Sequence, residues 1–344
     1  MGNNSERRIR FGLWYDFRNP PGSKMSYKKL YEDILSQIEW IEELGYEYVW
    51  LTEHHFTEDG YSPSILPIAA AIASRTKKIR IATGIALLPL HDPIRLAEDG
   101  ATVDIISGGR FELGGAVGYK VDEFKGFNIP RKERGDRADE VLEIVTRLWR
   151  GEKLNFKGKY YIVSNVKISP EPVQKPNPPI WVGGFVNASA KRAVKYADGF
   201  MGGGGPIKPI YEQYVEELQK QGKPTDNLRI ANGIHWLYVS EDPEKTWNEA
   251  ADGVIYQTNK YAEWFRQANM DIVYERVRDK EHLRKMGRLN IVDVDTCISM
   301  IKEHISDVPI SHFLNFAIPP GLPPRWAEPH LELFAKKVIP AFRP

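Results

Sequence analysis

Short apolar runs alternate with helix-length amphipathic segments from residue 9 to residue 338, and this alternation constrains the fold more than any other feature. The strand-like runs are Ile9–Trp14, Tyr48–Thr52, Ile79–Ala82, Phe111–Leu113, Ile180–Val182, Gly199–Met201, Arg229–Val239 and His312–Ala317. The helical segments between and after them are Tyr27–Leu44, Ser64–Ser74, Ile94–Ile106, Gly135–Trp149, Ala188–Tyr196, Ile210–Gln221, Asp295–His304 and Pro329–Val338. In the first helix Leu30, Ile34, Ile38 and Ile41 share one face, and Gly45 follows as a C-cap. Parallel strands need crossovers of this length, and successive βα units wind with one hand. The expected fold is a TIM (β/α)8 barrel with insertions, a single domain over residues 1–344. Residues 151–179 read as a Gly- and Pro-rich excursion forming a hairpin. Residues 243–290 read as a helical insertion after the seventh strand, with an aromatic cluster at Tyr256, Tyr261, Trp264 and Phe265.

The composition narrows the function by exclusion. A net charge of +1 with interspersed signs gives no basic surface for nucleic acid or anionic lipid. No run approaches the roughly 20 apolar residues of a membrane span, and the first residues lack a signal-peptide core. A soluble cytoplasmic protein is expected. Cys297 is the only cysteine, so no intramolecular disulfide is possible. No His-Glu-x-x-His or Cys/His cluster predicts a metal site. Neither Gly202–Gly205 nor Gly114–Gly118 has Walker or GxGxxG spacing, so no nicotinamide dinucleotide site is expected.

In a barrel of this kind, chemistry gathers where strands end. The second strand ends in Thr52–Glu53–His54–His55, and the third in Thr83–Gly84–Ile85. Successive residues on extended chain face opposite ways, so one imidazole can face the barrel mouth while the other packs sideways. An imidazole there can move protons at physiological pH. Taken singly, each motif has a plain structural reading: a satisfied histidine pair at a loop edge and an ordinary turn glycine. Gly183–Gly184 with Ser189, at the start of the helix after strand five, can cradle a phosphate or simply allow tight packing. Arg134 and Arg137 can fork onto a phosphate or pair with Glu133 and Asp136.

Together, these stretches resemble the bacterial luciferase-like family of flavin-dependent enzymes. The resemblance is carried by Trp50–Phe56, Ala69–Ala82, His91–Gly118, Glu133–Gly151, Pro178–Gly184 with Ala197–Gly199, and Pro320–Pro324 with Leu331–Phe342. It is weakest over 243–290. It implies a barrel that binds reduced flavin at its C-terminal face, with a non-proline cis peptide at Gly84–Ile85 supporting the flavin ring. It implies His54 as the active-site histidine with His55 beside it, and Tyr119 at the mouth. Thr83, Gly84 and Ile85 would form the bulge, and Arg137 would contact the phosphate with Gly183, Gly184 and Ser189.

The implied activity is a monooxygenase in which reduced FMN (FMNH2) and O2 form a C4a-hydroperoxide that oxygenates a small organic substrate. The implied partner is a separate NAD(P)H:flavin reductase. A homodimer through helices two and three is also implied, with Ala69, Ala70, Ala71 and Ala73 allowing close approach. Val117 stands where FMN-using relatives often carry arginine, and Phe185–Val186–Asn187 interrupt the usual pattern after strand five. F420-dependent hydride transfer on the same fold, or a non-catalytic flavin-binding or partner-subunit barrel, therefore remains an alternative. Ala116 stands where the light-emitting luciferase subunit carries cysteine, so light emission is not expected.

Overall fold

Burial on both faces of the apolar runs is what closes them into a barrel: Tyr48–Leu51 and Ile180–Gly183 have no exposed residue. The computed structural model describes residues 8–270 and 274–343. In chain order the first half contains β1 (Arg10–Tyr15), α1 (Tyr27–Leu44), β2 (Tyr48–Leu51), α2 (Ile65–Arg75), β3 (Arg80–Thr83), β4 (Ala86–Leu87), α3 (Pro93–Ser107), β5 (Phe111–Ala116), α4 (Val121–Gly126) and α5 (Arg134–Trp149). A hairpin of β6 (Leu154–Lys157) and β7 (Ile162–Val166) leads to β8 (Ile180–Gly183), α6 (Asn187–Tyr196), β9 (Gly199–Met201), α7 (Lys208–Lys220) and β10 (Arg229–Gly233). The remainder is β11 (Trp236–Val239), α8 (Pro243–Gln267), α9 (Lys280–Met286), β12 (Leu289–Val292), α10 (Val294–His304), β13 (His312–Phe316) and α11 (Glu328–Leu333).

Eight parallel strands run around the barrel as β1, β2, β3, β5, β8, β9, β10 and β13. The ring closes where Ile81 pairs with Phe111 and Arg10 with His312. This is the TIM barrel expected from the alternation. Sequence signals set the helix ends: the Ser26 hydroxyl accepts from the Lys29 amide to start α1, and Gly45 in the left-handed region stops it. Asp92 caps α3 by accepting from the Ile94 and Arg95 amides, with Pro93 at its first position. The excursion after α5 is held down by Glu140, whose carboxylate accepts from the amides of Lys159, Tyr160 and Tyr161.

One expected strand is corrected. Arg229–Val239 is not continuous: β10 stops at Gly233, and β11 turns away to pair with β12 outside the barrel. The Asn232–Gly233 pair in its middle explains the break. A Cβ on Gly233 would lie 1.7 Å from the Leu314 carbonyl oxygen, so only glycine lets the backbone press against β13 there. Asn232 is tied sideways, its Oδ1 accepting from the Gly204 amide and its Nδ2 donating to the Gly205 carbonyl. The chain that leaves the barrel then carries α8 and its aromatic side chains over the mouth.

The lower end of the barrel is plugged by Glu112. It accepts from the Tyr48 hydroxyl at 2.9 Å and Arg229 Nη2 at 2.7 Å, and also from Arg80 Nε and Trp181 Nε1. Four strands are joined to β5 through this one buried carboxylate.

Candidate active site

At the opposite end, where the strands terminate, a cavity of about 450 Å³ opens. Its lining is mostly apolar. Ile85, Leu87, Ala116 and Met201 form one side, while Tyr61, Tyr119, Tyr261, Phe265 and Tyr274 form an aromatic wall. α8 supplies Tyr261 and Phe265, and Phe265 stacks on Tyr119 at 4.2 Å between centroids. The insertion is therefore a wall of the site.

His54 is the titratable group best placed for chemistry. Its residue is buried, yet it lines the cavity. Nδ1 lies 2.8 Å from Glu123 Oε1, an oxygen that also accepts from the His55 amide. With the Glu123 carboxylate as acceptor, Nδ1 carries the proton and Nε2 presents its lone pair, 3.3 Å from the Tyr119 hydroxyl. Burial, followed by the neighbouring phenols Tyr261 and Tyr274, pushes the Tyr119 pKa far above its usual value, so Tyr119 remains a donor. The ring of His54 is wedged against Tyr61 and Trp264, each with its centroid 4.8 Å away.

His55 faces the other way. Its Nε2 is 3.0 Å from Glu53 Oε1, and its ring packs on Phe127. Glu53 also meets His91 Nε2 at 2.9 Å and accepts from the Leu87 amide at 2.6 Å. Burial raises the Glu53 pKa, but the His91 charge and hydrogen bonds from His55 and His91 outweigh it and hold the carboxyl at about 2. Glu53 thus clamps the end of β2 to the segment after β3.

That segment forms the floor. The Gly84–Ile85 peptide is cis. A Cβ on Gly84 would come 2.9 Å from the Trp50 ring, so the glycine lets the bulge sit directly on the barrel core. Thr83 lies below, out of the cavity lining, with its hydroxyl donating to the Gly114 carbonyl at 2.6 Å and accepting from the Gly114 amide at 2.8 Å. Beyond Ile85, the lining runs to Gly183, Gly184 and Ser189 at the start of α6, with Lys132, Arg134 and Arg192 alongside.

Arg192 is paired with Asp139 at 2.7 Å. Among the described residues, Lys132 and Arg134 have no acidic partner within ion-pair distance. Burial and the charge of Arg131 lower the Arg134 pKa, as expected where cations gather without a counterion. An anion would relieve this crowding.

The model of the luciferase-like monooxygenase family matches residues 9–295. The chain belongs to that family. It is 30% identical over 177 residues to the oxygenase component of a flavin-dependent trigonelline monooxygenase from Acinetobacter baylyi, covering 51% of this chain and 48% of that protein. It is 26% identical over 337 residues to an F420-dependent glucose-6-phosphate dehydrogenase from Amycolatopsis mediterranei, covering 93% and 98%. Among solved structures, the monooxygenase RslO1 from Streptomyces bottropensis superposes with a TM-score of 0.85 at 24% identity, covering 97% and 100%. The FMN complex of the oxygenating constituent of 3,6-diketocamphane monooxygenase from Pseudomonas putida gives 0.80 at 21%, covering 97% and 98%. The fold of this luciferase-like chain agrees with both, and its relatives are oxidoreductases.

Of the residues singled out from sequence in this luciferase-like chain, His54, Gly84, Ile85, Tyr119, Gly183, Gly184 and Ser189 share the cavity. His55, Thr83 and Arg137 do not line it. Arg137 is held by Glu133 at 2.9 Å and lies over the Tyr160 ring of the hairpin turn, which draws its guanidinium off the cavity. Arg134, one turn earlier, lines the cavity instead. Glu123 and the preceding Lys120 carry no signal in the sequence because α4, only six residues long, is too short to show a helical period. Lys120 Nζ donates to the His55 carbonyl at 2.9 Å and fixes that turn against β2. Among the described residues, no cluster of three or more His, Cys, Asp or Glu is arranged to hold a metal, and no helix is long and apolar enough to cross a membrane.

Proposed function

We propose that this chain is a monooxygenase that binds reduced FMN and transfers oxygen from O2 to a small organic substrate. The observation that carries this reading is His54, held by Glu123 with its Nε2 turned into a mostly apolar cavity beside the Gly84–Ile85 bulge. The residues present fit a flavin nucleotide. Ile85, Leu87 and Ala116 offer an apolar bed for a planar ring, while Gly184, Ser189, Lys132 and Arg134 offer a crowded cationic end for a phosphate. Bound reduced flavin supplies the oxygen-activating chemistry.

The protein supplies the surroundings. The Tyr119, Tyr261, Phe265 and Tyr274 wall excludes water. His54 Nε2 accepts or returns a proton at the cavity edge, and Glu123 keeps the ring in the required tautomer. Tyr119 donates toward Nε2 and orients it. A separate reductase would deliver the reduced flavin, consistent with the trigonelline relative being named an oxygenase component. A homodimer through α2 and α3 is part of the proposal; Ala70 and Ala71 are only half-buried on α2, leaving a small-residue face for a second copy.

Anaerobic titration with reduced FMN and with reduced F420, each followed by rapid mixing with O2, tests the reading. Tight FMN binding with an oxygen-dependent flavin absorbance transient is the expected result. Tight F420 binding without such a transient would replace it with hydride transfer, and binding of neither would favour a non-catalytic barrel.

A further inference from the structure

A second cavity of about 110 Å³ adjoins the first. His235, Tyr261 and Tyr274 line both and form the partition between them. Its far side is built from Gln257 and Thr258 of α8 and from Arg288 just before β12. It therefore belongs to the segment that leaves the barrel after β10, opposite the Gly84–Ile85 floor.

Two observations give this annex a chemistry. Among the described residues, Arg288 is the only charged residue in its lining and has no acidic partner within ion-pair distance. Its guanidinium lies 4.5 Å from the centre of the Tyr274 ring. With one N–H directed to the Tyr274 oxygen, the remaining N–H groups of the guanidinium can fork onto an anion. Independently, Gln257 is buried, and its Oε1 has no hydrogen-bond partner. A buried amide oxygen without a partner is costly and marks a place where a polar ligand or its water would be satisfied. His235 does not compete for the anion: burial, then the charge of Arg288, lowers its pKa to about 4 and leaves it neutral. The partition continues the aromatic wall, since Tyr274 stacks on Phe265 at 5.2 Å and an interplanar angle of 5°.

We infer that the substrate is an aromatic carboxylate, its ring against the Phe265–Tyr274 wall of the main cavity and its carboxylate forked on Arg288 in the annex. One guanidinium matches a monoanion, and a small annex suits a carboxylate better than a dianionic phosphate. The inference deepens the proposed monooxygenase reading and rests on the main cavity being its reaction chamber.

Calorimetric titration of the full chain with benzoate, benzamide and phenyl phosphate tests it, in the wild type and in Arg288→Met and Arg288→Lys variants. Benzoate should bind about 10–100-fold more tightly than benzamide. Arg288→Met should erase that preference, and Arg288→Lys should keep only part of it. Reduced FMN binding, measured on the same samples, should be unchanged and reports that the variants are folded. Equal binding of benzoate and benzamide, no binding of benzoate, tighter binding of phenyl phosphate, or an undiminished preference in both variants would overturn the inference. A wild type that prefers benzoate through Arg288 but does not bind FMN would uphold the annex and remove the flavin reading.

Discussion

At the lower end of the barrel, Glu112 receives four donors from four strands, and neither carboxylate oxygen is left without a partner. At the mouth, Glu123 uses one oxygen twice, for His54 and the His55 amide, while its buried Oε2 has no partner. Gln257 Oε1 and both terminal nitrogens of Arg18 are likewise unpartnered near that end. The carboxylate that joins strands at the lower end is thus fully partnered, while Glu123, Gln257 and Arg18 near the mouth each keep a polar atom without a partner. That division matches the general assignment of stability to the lower face of such barrels and chemistry to the upper.

The largest expected effect breaks the lower end. Glu112→Ala leaves Arg80 and Arg229 facing each other without their carboxylate, and removal of one partner from a buried ionic group costs about 3–5 kcal/mol. Denaturant unfolding should register that loss. A midpoint unchanged from the wild type would show that Glu112 is not the plug its contacts suggest. The matching change at the mouth is His54→Ala. It should reduce turnover by about 10²–10⁴-fold, with the unfolding midpoint little altered and FMN binding retained. Unimpaired turnover would count against the proton-moving role, and Glu123→Gln should fall between this variant and the wild type.

A smaller effect separates two arginines on one helix. Arg134→Ala should weaken binding of reduced FMN about tenfold, the size of one charge-assisted hydrogen bond. Arg137→Ala should leave it unaltered and change stability by no more than about 1 kcal/mol, since its ion pair with Glu133 is near the surface. The reverse result would place the phosphate on the hairpin side and restore Arg137 as its contact.

The contrast between the two ends also marks what could be read in the sequence. The barrel was legible because each strand is a short apolar run and each helix has a face, as in Leu30, Ile34, Ile38 and Ile41. Those signals are local and repeat. His54 and the Gly84–Ile85 bulge were legible because they sit at strand ends, where the fold itself directs attention. Glu112 was not, because its partners Tyr48, Arg80, Trp181 and Arg229 come from four strands far apart in the chain and meet only when the barrel closes. The position of Arg137 off the cavity was not legible for a related reason: Tyr160, over which it lies, is on a hairpin whose docking no local pattern reveals. The break at Asn232–Gly233 was written in the chain, but the apolar run on either side of it reads more strongly as one strand.

The smallest expected effect concerns the clamp that sets the floor of the mouth. Burial would lower the His91 pKa, but the Glu53 carboxylate overcomes it, and the folded value lies above the ordinary 6.5. The stabilisation this gives is therefore complete below about pH 6.5 and is lost as pH rises through the folded pKa. Glu53 behaves oppositely: held at about 2 against an ordinary 4.5, it contributes above pH 4.5 and fails as pH falls toward 2. Both contributions are complete only between those ordinary values, so the clamp is strongest in mildly acidic solution. Comparing wild type with His91→Ala by urea unfolding separates the clamp from titrating groups that touch neither His91 nor Glu53. The wild-type advantage should be larger near pH 6 than near pH 9. An advantage that does not change with pH would mean that His91 holds the bulge by packing alone, and that the mouth, like the lower end, depends on contacts that carry no proton.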